Sequence, residues 1–549
     1  MSHVFRAVAV DYDGTLTELP RPTDEVLASL RAVRSGGYRC ILVTGRRLSH
    51  LRSDFPSVDE HFDAIVAENG GVLSTGMRAD QPLSEPVPLV LDRALVDRGI
   101  PFERGQVLVA SRACHDVAVN EEISRLGIEC HIVRNRAELM VLPGGVSKGS
   151  GTVRALEELN LSRHSAVGIG DAENDHSLLD VCEVGVAVGN AVDALKARAD
   201  VVLDRADGAG VSQLLSGPFL EGLPGIEPTR WRLVLGAFDD GMLATLPASG
   251  INLAIDGPSG GGKSWFAGCL AEQLIGMRYT ACIIDLEGDH IGLGALHGAV
   301  TLGGDRELPS PVDVATLMTQ GLSSIIVDLS LKDRATKRRY GLELLGTLKR
   351  TRQDFGIPHW IMIDEAHALF PAGVSGWWCG EGWQTGLCVI TYRPDLLCKH
   401  VDARSDVHIT VNSPTDIELR RHGWAEPRRF RPVERSIEHV RHWHKYLDAP
   451  LPYFRQFHFR DSRDRTGRTA ANVVEFDNEI RRAPVDVLQH HAAGGDFSRW
   501  LGDLWREPRV TEAVRAIEAA LRDARSTDEV EAARHRMIAL LDSSTHRPA

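Results

Sequence analysis

The apolar run Ala7-Val-Ala-Val10 stops abruptly at Asp11-Tyr-Asp-Gly14, and this layout recurs down the chain. Cys40-Ile-Leu-Val43 stops at Thr44-Gly-Arg46, Ala166-Val-Gly-Ile169 at Gly170-Asp171, and Ile251-Asn-Leu-Ala-Ile255 at Asp256-Gly257. A strand that is apolar with little alternation is buried on both faces, which calls for a mostly parallel sheet covered by helices on each side. The intervening stretches are amphipathic and helical, so the expected class is α/β. Polar residues then gather at the carboxyl ends of strands, where open parallel sheets bind their ligands.

Strands and helices alternate from residue 4 to about 215, broken near 78–143 by a segment that reads as an inserted α+β cap. Residues 216–228, rich in Gly and Pro, read as a linker. A second α/β unit is expected over 229–445, with strand runs at 251–256, 281–285, 324–329, 359–364, 387–391 and 407–411. From about 446 to 549 the texture changes to a mainly helical module. Tyr453, Phe454, Phe457 and Phe459 mark short aromatic strands there, and Asp496 caps a helix whose apolar face holds Phe497, Trp500 and Leu501.

A net charge of −13 argues against a chain that coats nucleic acid by charge alone. The nine cysteines are scattered singly with no C-x-x-C pair, so neither a disulfide framework nor a zinc site is expected. No apolar run reaches the roughly 18 residues needed to span a bilayer, and the start lacks a signal-peptide layout. The expected setting is the cytoplasm, with no membrane partner.

Asp11 and Asp13 stand two residues apart just beyond a buried strand. Acids so close repel unless a cation neutralises them or one keeps its proton. Either outcome serves phosphoryl chemistry: one carboxylate attacks phosphorus while its neighbour moves a proton. Thr44 places a hydroxyl beside free backbone N–H groups, and Lys148 opens a helix after a Gly-rich loop, where an ammonium can hold both nucleophile and phosphoryl charge. Asp171 and Asp175 offer oxygens for magnesium, directly or through its waters.

These stations, in this order, resemble the haloacid-dehalogenase superfamily over about residues 4–215. Gly185-Val-Ala-Val-Gly-Asn190, Ala199-Asp200 and Glu68-Asn-Gly-Gly71 resemble its Cof-like, sugar-phosphate phosphatase branch. The resemblance implies an aspartyl-phosphate formed on Asp11 and acid–base work by Asp13. It also implies phosphate binding by Thr44 and Lys148, and a magnesium site drawn from Asp11, Asp13, Asp171 and Asp175. The cap implies a small phosphate ester as substrate. Glu138, Arg134 and His115 are the cap residues placed to touch it, each equally readable as a solvated surface group.

Gly257-Pro-Ser-Gly-Gly-Gly-Lys-Ser264 is a full G-x-x-x-x-G-K-[ST] match between a strand and a helix. Gly257, Gly260, Gly261 and Gly262 let backbone N–H groups converge on phosphates, Lys263 reaches the outer phosphates, and Ser264 can hold magnesium. The strand at 359–364 brings Asp364 to hold metal through water and Glu365 to polarise a water, and Thr391 ends the next strand as a polar sensor. With Asp285-Leu-Glu-Gly-Asp289 and Thr391-Tyr-Arg-Pro394, residues 230–440 resemble the HerA–FtsK group of ATPases, without that group's N-terminal barrel. The resemblance implies ATP, a homo-oligomer, and an arginine finger from Arg404 or Arg393; His367 reads as a sensor or as a helix-start residue. A small-molecule kinase is the rival reading of the same cradle. Arginines from Arg420 to Arg441 and Lys445, interleaved with Trp424 and Trp443, fit nucleic acid or an interface.

Three functions follow. One is a magnesium-dependent phosphatase of a small ester coupled to an ATPase. The second is a nucleic-acid end-processing kinase and phosphatase. The third is a nucleotide-gated interaction switch.

Overall fold

The computed structural model describes residues 4–545 except 77, 136, 378–384, 438–450, 452, 454–455, 461–467 and 506–507. The first sheet starts with β1 (Ala7–Asp11), β2 (Arg39–Val43), β3 (Ala64–Ala67), β4 (Val72–Ser74) and β5 (Gln81–Pro82). A separate antiparallel sheet then forms from β6 (Glu103–Arg104), β7 (Val109–Arg112), β8 (Cys130–Asn135) and β9 (Glu138–Pro143). The chain returns to the first sheet with β10 (Ala166–Gly170), β11 (Val184–Ala187) and β12 (Val201–Val202).

The first sheet runs β12-β11-β10-β1-β2-β3-β4-β5, parallel from β12 to β3. All five residues of β1 are buried, as its unbroken apolar sequence requires. The chain leaves β1 toward β2 on one side and later joins β10 on the other. The crevice at the ends of β1 and β10 is therefore the topological switch point. The helix Asp24–Ser35 shows how the covering layer forms: Thr23 caps its first turn, and Val26, Leu27, Leu30 and Val33 bury one stripe.

The antiparallel sheet, ordered β6-β7-β9-β8, carries the helices Val90–Asp97 and Asp116–Leu126 and has its own core of Val87, Leu91, Leu95, Ile123 and Val141. Because β5 still pairs with β4, this inserted layer begins later than residue 78. Residues 216–228 are no free tether either. Phe219 and Leu223 sink into the first core, and Phe219 stacks on Phe5 at 5.9 Å between ring centroids.

The second sheet contains β13 (Arg232–Phe238), β14 (Leu243–Pro247), β15 (Leu253–Asp256), β16 (Ala281–Asp285), β17 (Ala299–Gly303), β18 (Ser324–Asp328), β19 (Trp360–Ile363), β20 (Leu387–Ile390), β21 (Val407–Ser413), β22 (Asp416–Arg421) and β23 (Arg428–Pro432). Their order is β14-β13-β23-β22-β21-β15-β20-β19-β16-β18-β17, parallel from β21 to β17 and antiparallel from β14 to β21. Last come the hairpin β24 (Phe457–Phe459) and β25 (Arg468–Ala470) and helices from Val473 to Thr545. They close on a core that includes Phe457, Phe476, Phe497 and Leu501. Tyr453 is exposed and Phe454 lies outside the described residues.

Candidate active site

The turns that follow β1 and β10 and the helix Lys148–Glu158 converge at the switch point. Ser147 caps that helix through a capping box with Ser150, fixing where Lys148 emerges. The Lys148 ammonium donates to Asp11 at 2.5 Å and to Asp175 at 2.6 Å, and all three side chains are buried. Asp175 also accepts the backbone N–H groups of Asp171 and Ala172 at 2.9 and 3.0 Å, which anchors its loop. Gly170 lies under Asp175, where an added Cβ would meet the Asp175 Cβ at 2.4 Å and its carboxylate carbon at 2.6 Å.

Asp11, Asp171 and Asp175 each offer an oxygen, and these atoms all lie within 4.8 Å of one another. Three buried acids against a single ammonium leave surplus negative charge, which a buried site tolerates only with further compensation. An all-carboxylate, buried set of this size suits a hard divalent cation such as magnesium. Burial, then Asp175 and Asp171, push the Asp11 carboxyl well above its usual range, with Lys148 acting against them. Burial disfavours the Lys148 ammonium, yet Asp11 and Asp175 together raise it.

Asp13 stands apart from this cluster. Arg46 grips its carboxylate at 2.6 and 3.0 Å, reaches Asp54 at 2.8 Å, and lies over the Tyr12 ring. Thr44 is buried at the end of β2, its hydroxyl accepting the Arg46 N–H at 3.1 Å. Sequence reasoning passed over several neighbours. The Thr15 hydroxyl donates to Asp171 at 3.0 Å, Asn174 donates to Asn69 at 3.2 Å, and Asn190 donates to the Gly14 carbonyl at 2.8 Å. The signal was present in the sequence: Thr15 follows Asp11-Tyr-Asp-Gly14, Asn174 precedes Asp175, and Asn69 and Asn190 lie within residues 68–71 and 185–190. Above Lys148 opens a cavity of about 630 Å³ whose walls include Asn69, Asn174, His176 and, from the inserted layer, Ile132 and Arg134. Arg134 is paired with Asp116 at 2.7 Å, and Glu138 is exposed.

At the second sheet, Gly257, Gly260 and Gly262 have φ of 133°, 72° and 106°, values that only glycine adopts without strain. The loop opens the helix Lys263–Gly276, and the Lys263 ammonium donates to the Pro258 carbonyl at 2.9 Å. Between β15 and β19 lies β20, parallel to both. Thr391, which follows β20, thus stands between the glycine loop and the buried Asp364 and Glu365. His367 Nδ1 lies 2.9 Å from the Thr391 hydroxyl, and His290 Nε2 lies 3.3 Å from Asp364. Burial raises the Asp285 carboxyl to about 6, while it accepts the N–H groups of Glu287, Gly288, Asp289 and His290. Arg393 is paired with Asp395 on the surface, and the Arg404 carbonyl accepts from Asn252 at 3.3 Å. Of the basic stretch, Arg421 pairs with Glu227, Arg428 with Asp240, Arg429 with Glu418 and Arg435 with Glu272. Arg441, Trp443 and Lys445 lie outside the described residues.

Comparison with known proteins bears on the first site. A family profile described as haloacid dehalogenase-like hydrolase matches residues 117–215. A phosphoglycolate phosphatase of Methanopyrus kandleri is 30% identical over 234 residues, covering 38% of this chain and 94% of that protein. Another, from Sulfurisphaera tokodaii, is 28% identical over 235 residues, covering 40% of this chain and 98% of its own length. The crystal structure of a haloacid dehalogenase-like hydrolase from Bacteroides thetaiotaomicron aligns with 39% of this chain and 98% of its own at 20% identity and a TM-score of 0.34.

Proposed function

The chain belongs, through its N-terminal part, to the haloacid dehalogenase-like hydrolases, and on that premise we propose that it hydrolyses a small phosphate ester with magnesium through an aspartyl-phosphate on Asp11. The observation that carries this reading is the buried meeting of Asp11, Lys148, Asp171 and Asp175 at the switch point. An Asp11 oxygen attacks phosphorus as the ester P–O bond breaks, and the departing oxygen takes a proton from Asp13. Water then attacks phosphorus, gives a proton to Asp13, and the bond to Asp11 breaks to release inorganic phosphate. For this Asp13 must leave Arg46, take up a proton from solvent and turn toward the leaving group as the neutral acid. Lys148 orients Asp11 and faces the phosphoryl oxygens, and Thr44 offers its hydroxyl to them. Asp11, Asp171 and Asp175 would hold magnesium, which would neutralise the charge of the acids and of the phosphoryl group.

The test is phosphate release from a panel headed by phosphoglycolate and hexose phosphates, with and without magnesium. Asp11→Asn should lower kcat about a thousandfold or more. Equal release by wild type and Asp11→Asn on every ester would end the reading.

For the second sheet we propose a site that binds and hydrolyses ATP. Supporting it are the left-handed glycines, Lys263 and Ser264 at a helix start, and a strand order that brings Thr391, Asp364 and Glu365 to the carboxyl ends of neighbouring parallel strands. Lys263→Ala should abolish binding of a fluorescent ATP analogue, while Glu365→Gln should bind it and fail to release phosphate. Mass measured with and without ATP tests assembly. Transfer of the γ-phosphate to a nucleic-acid 5′ end would instead favour the kinase reading.

A further inference from the structure

Glu68-Asn69-Gly70 is a tight turn after β3 whose first two residues have φ of 54° and 51°, left-handed values that cost about 1–3 kcal/mol each outside glycine. Its backbone is tied to the loop of the first site: the Glu68 N–H donates to the Arg46 carbonyl and the Asn69 N–H to that of Thr44, each at 3.0 Å. The Glu68 carboxylate points the other way, into the inserted layer. It accepts the backbone N–H groups of Gln106, Val107 and Leu108 at 2.9, 2.8 and 3.1 Å. These residues form the turn joining β6 to β7, and Val107 enters the core of the first sheet rather than that of its own layer. At Gly105 a Cβ would collide with the same carboxylate at 2.4 Å, so the turn sits hard against it. Glu68 is 1% exposed.

Asn69 continues the connection. Its amide donates to Met140 Sδ on β9 at 2.7 Å, accepts from Asn174 at 3.2 Å, and lines the cavity over Lys148. Gly70 presses on the start of the Lys148 helix, where a Cβ would stand 1.9 Å from the Ser147 carbonyl. One turn thus touches the Thr44 loop, the Lys148 helix, the acidic loop and two parts of the cap.

We propose that Glu68 is the latch that docks the cap on the phosphatase site, and that Asn69 reads the docked position into the substrate cavity. Three charge-assisted hydrogen bonds to one buried carboxylate fix the height and tilt of the cap. The walls supplied by β8 and β9 then stand where an ester's organic part must lie. Glu68 touches no reacting atom, so it is a positioning residue for the phosphatase reading, on which this inference rests. A cap held in place matters for a substrate that needs water excluded and its far end gripped. It matters little for an activated aryl ester whose leaving group departs unaided.

The experiment compares wild type, Glu68→Ala, Glu68→Asp and Asp11→Asn in the full chain. The substrates are p-nitrophenyl phosphate and the best ester of the panel, with magnesium. Glu68→Ala is expected to keep p-nitrophenyl phosphate turnover within threefold while kcat/KM on the panel ester falls at least thirtyfold, with Glu68→Asp recovering part of the loss. Equal losses on both substrates would reduce Glu68 to a structural residue, and no loss on either would remove the latch. Should Asp11→Asn match wild type, the phosphatase reading itself fails, a result separable from the other two.

Discussion

At the scale of single residues, Lys148 decides the balance of the first site. Its ammonium is shared between Asp11 and Asp175, both buried. Removing the charge in Lys148→Met leaves an Asp11 carboxyl whose protonation burial already favours, so less Asp11 stands ionised to attack. The expected loss in kcat is about a hundredfold to a thousandfold, read in the same phosphate-release assay, and raising magnesium should recover part of it. A second prediction concerns His367, which burial, then Arg393 and Arg334, lower to about 4. Its ordinary value is near 6.5, so the unfolded chain takes up a proton that the folded chain refuses as pH falls from 6.5 toward 4. Stability therefore declines across that window and is fully retained above it. Urea unfolding at pH 5 and pH 7 should show His367→Gln narrowing the gap, and an unchanged gap would refute the assignment. Asp11 and Asp171 were legible in the sequence because each stands at the end of an apolar strand, and Asp175 because it follows in the same acidic loop. The grip of Arg46 on Asp13 was not, since a side chain thirty-three residues away in the chain chooses its partner only once β1 and β2 pair.

At the scale of elements, the helix Lys148–Glu158 must lie against the Glu68 turn, and small residues make that possible. Gly151 and Gly70 face each other so closely that a Cβ on Gly151 would stand 2.6 Å from the Gly70 Cα. Gly70 also has φ of 101°, so Gly70→Ala combines a disfavoured conformation with a backbone collision. The expected cost is about 2–4 kcal/mol of stability, seen as a lower urea midpoint, together with lost phosphatase turnover because the Ser147 cap is displaced. Retention of both would show that the helix can retreat without moving Lys148. Which elements the sequence disclosed follows the same physics. β15, β16, β18, β19 and β20 are apolar because both faces are covered, while β21 alternates buried Val407, Ile409 and Val411 with polar residues; each was expected near its observed position. β22 and β23 read only as a basic stretch, because Asp416–Arg421 and Arg428–Pro432 alternate buried apolar residues with charged ones. Pairing of β22 with β21, of β23 with β22 and of β23 with β13 turns that stretch into the interior of the antiparallel wing. The Pro and Gly of 216–228 signalled a tether, but two apolar side chains at Phe219 and Leu223 outweighed them.

At the scale of the molecule, the two sheets are joined at their amino ends by buried polar groups outside both sites. Glu183, just before β11, receives the Tyr279 hydroxyl at 2.8 Å, meets His164 Nδ1 at 2.7 Å, and accepts from Ser249. His164 stacks on Tyr279 at 3.6 Å and places Nε2 2.9 Å from the Met277 carbonyl. Trp231 donates to the Cys182 carbonyl at 3.1 Å, and Ser165 to that of Gly356 at 3.2 Å. His164 and Ser165 lead into β10, which ends at the first site; Tyr279 leads into β16, and His359, beside Ser165, into β19, which ends at Asp364. Glu183→Ala would strand the Tyr279 and Ser249 hydroxyls and the His164 imidazole without their shared acceptor. Leaving a buried donor without its acceptor costs about 1–3 kcal/mol. The expected calorimetric trace is one main transition in the wild type that divides in the variant, the sheets then unfolding at separate temperatures. Glu183→Gln, which keeps one acceptor oxygen, should fall between. If Glu183→Ala melted as one transition within two degrees of wild type, the sheets would owe their joint stability to the apolar contacts around Trp231, and the polar joint would be incidental.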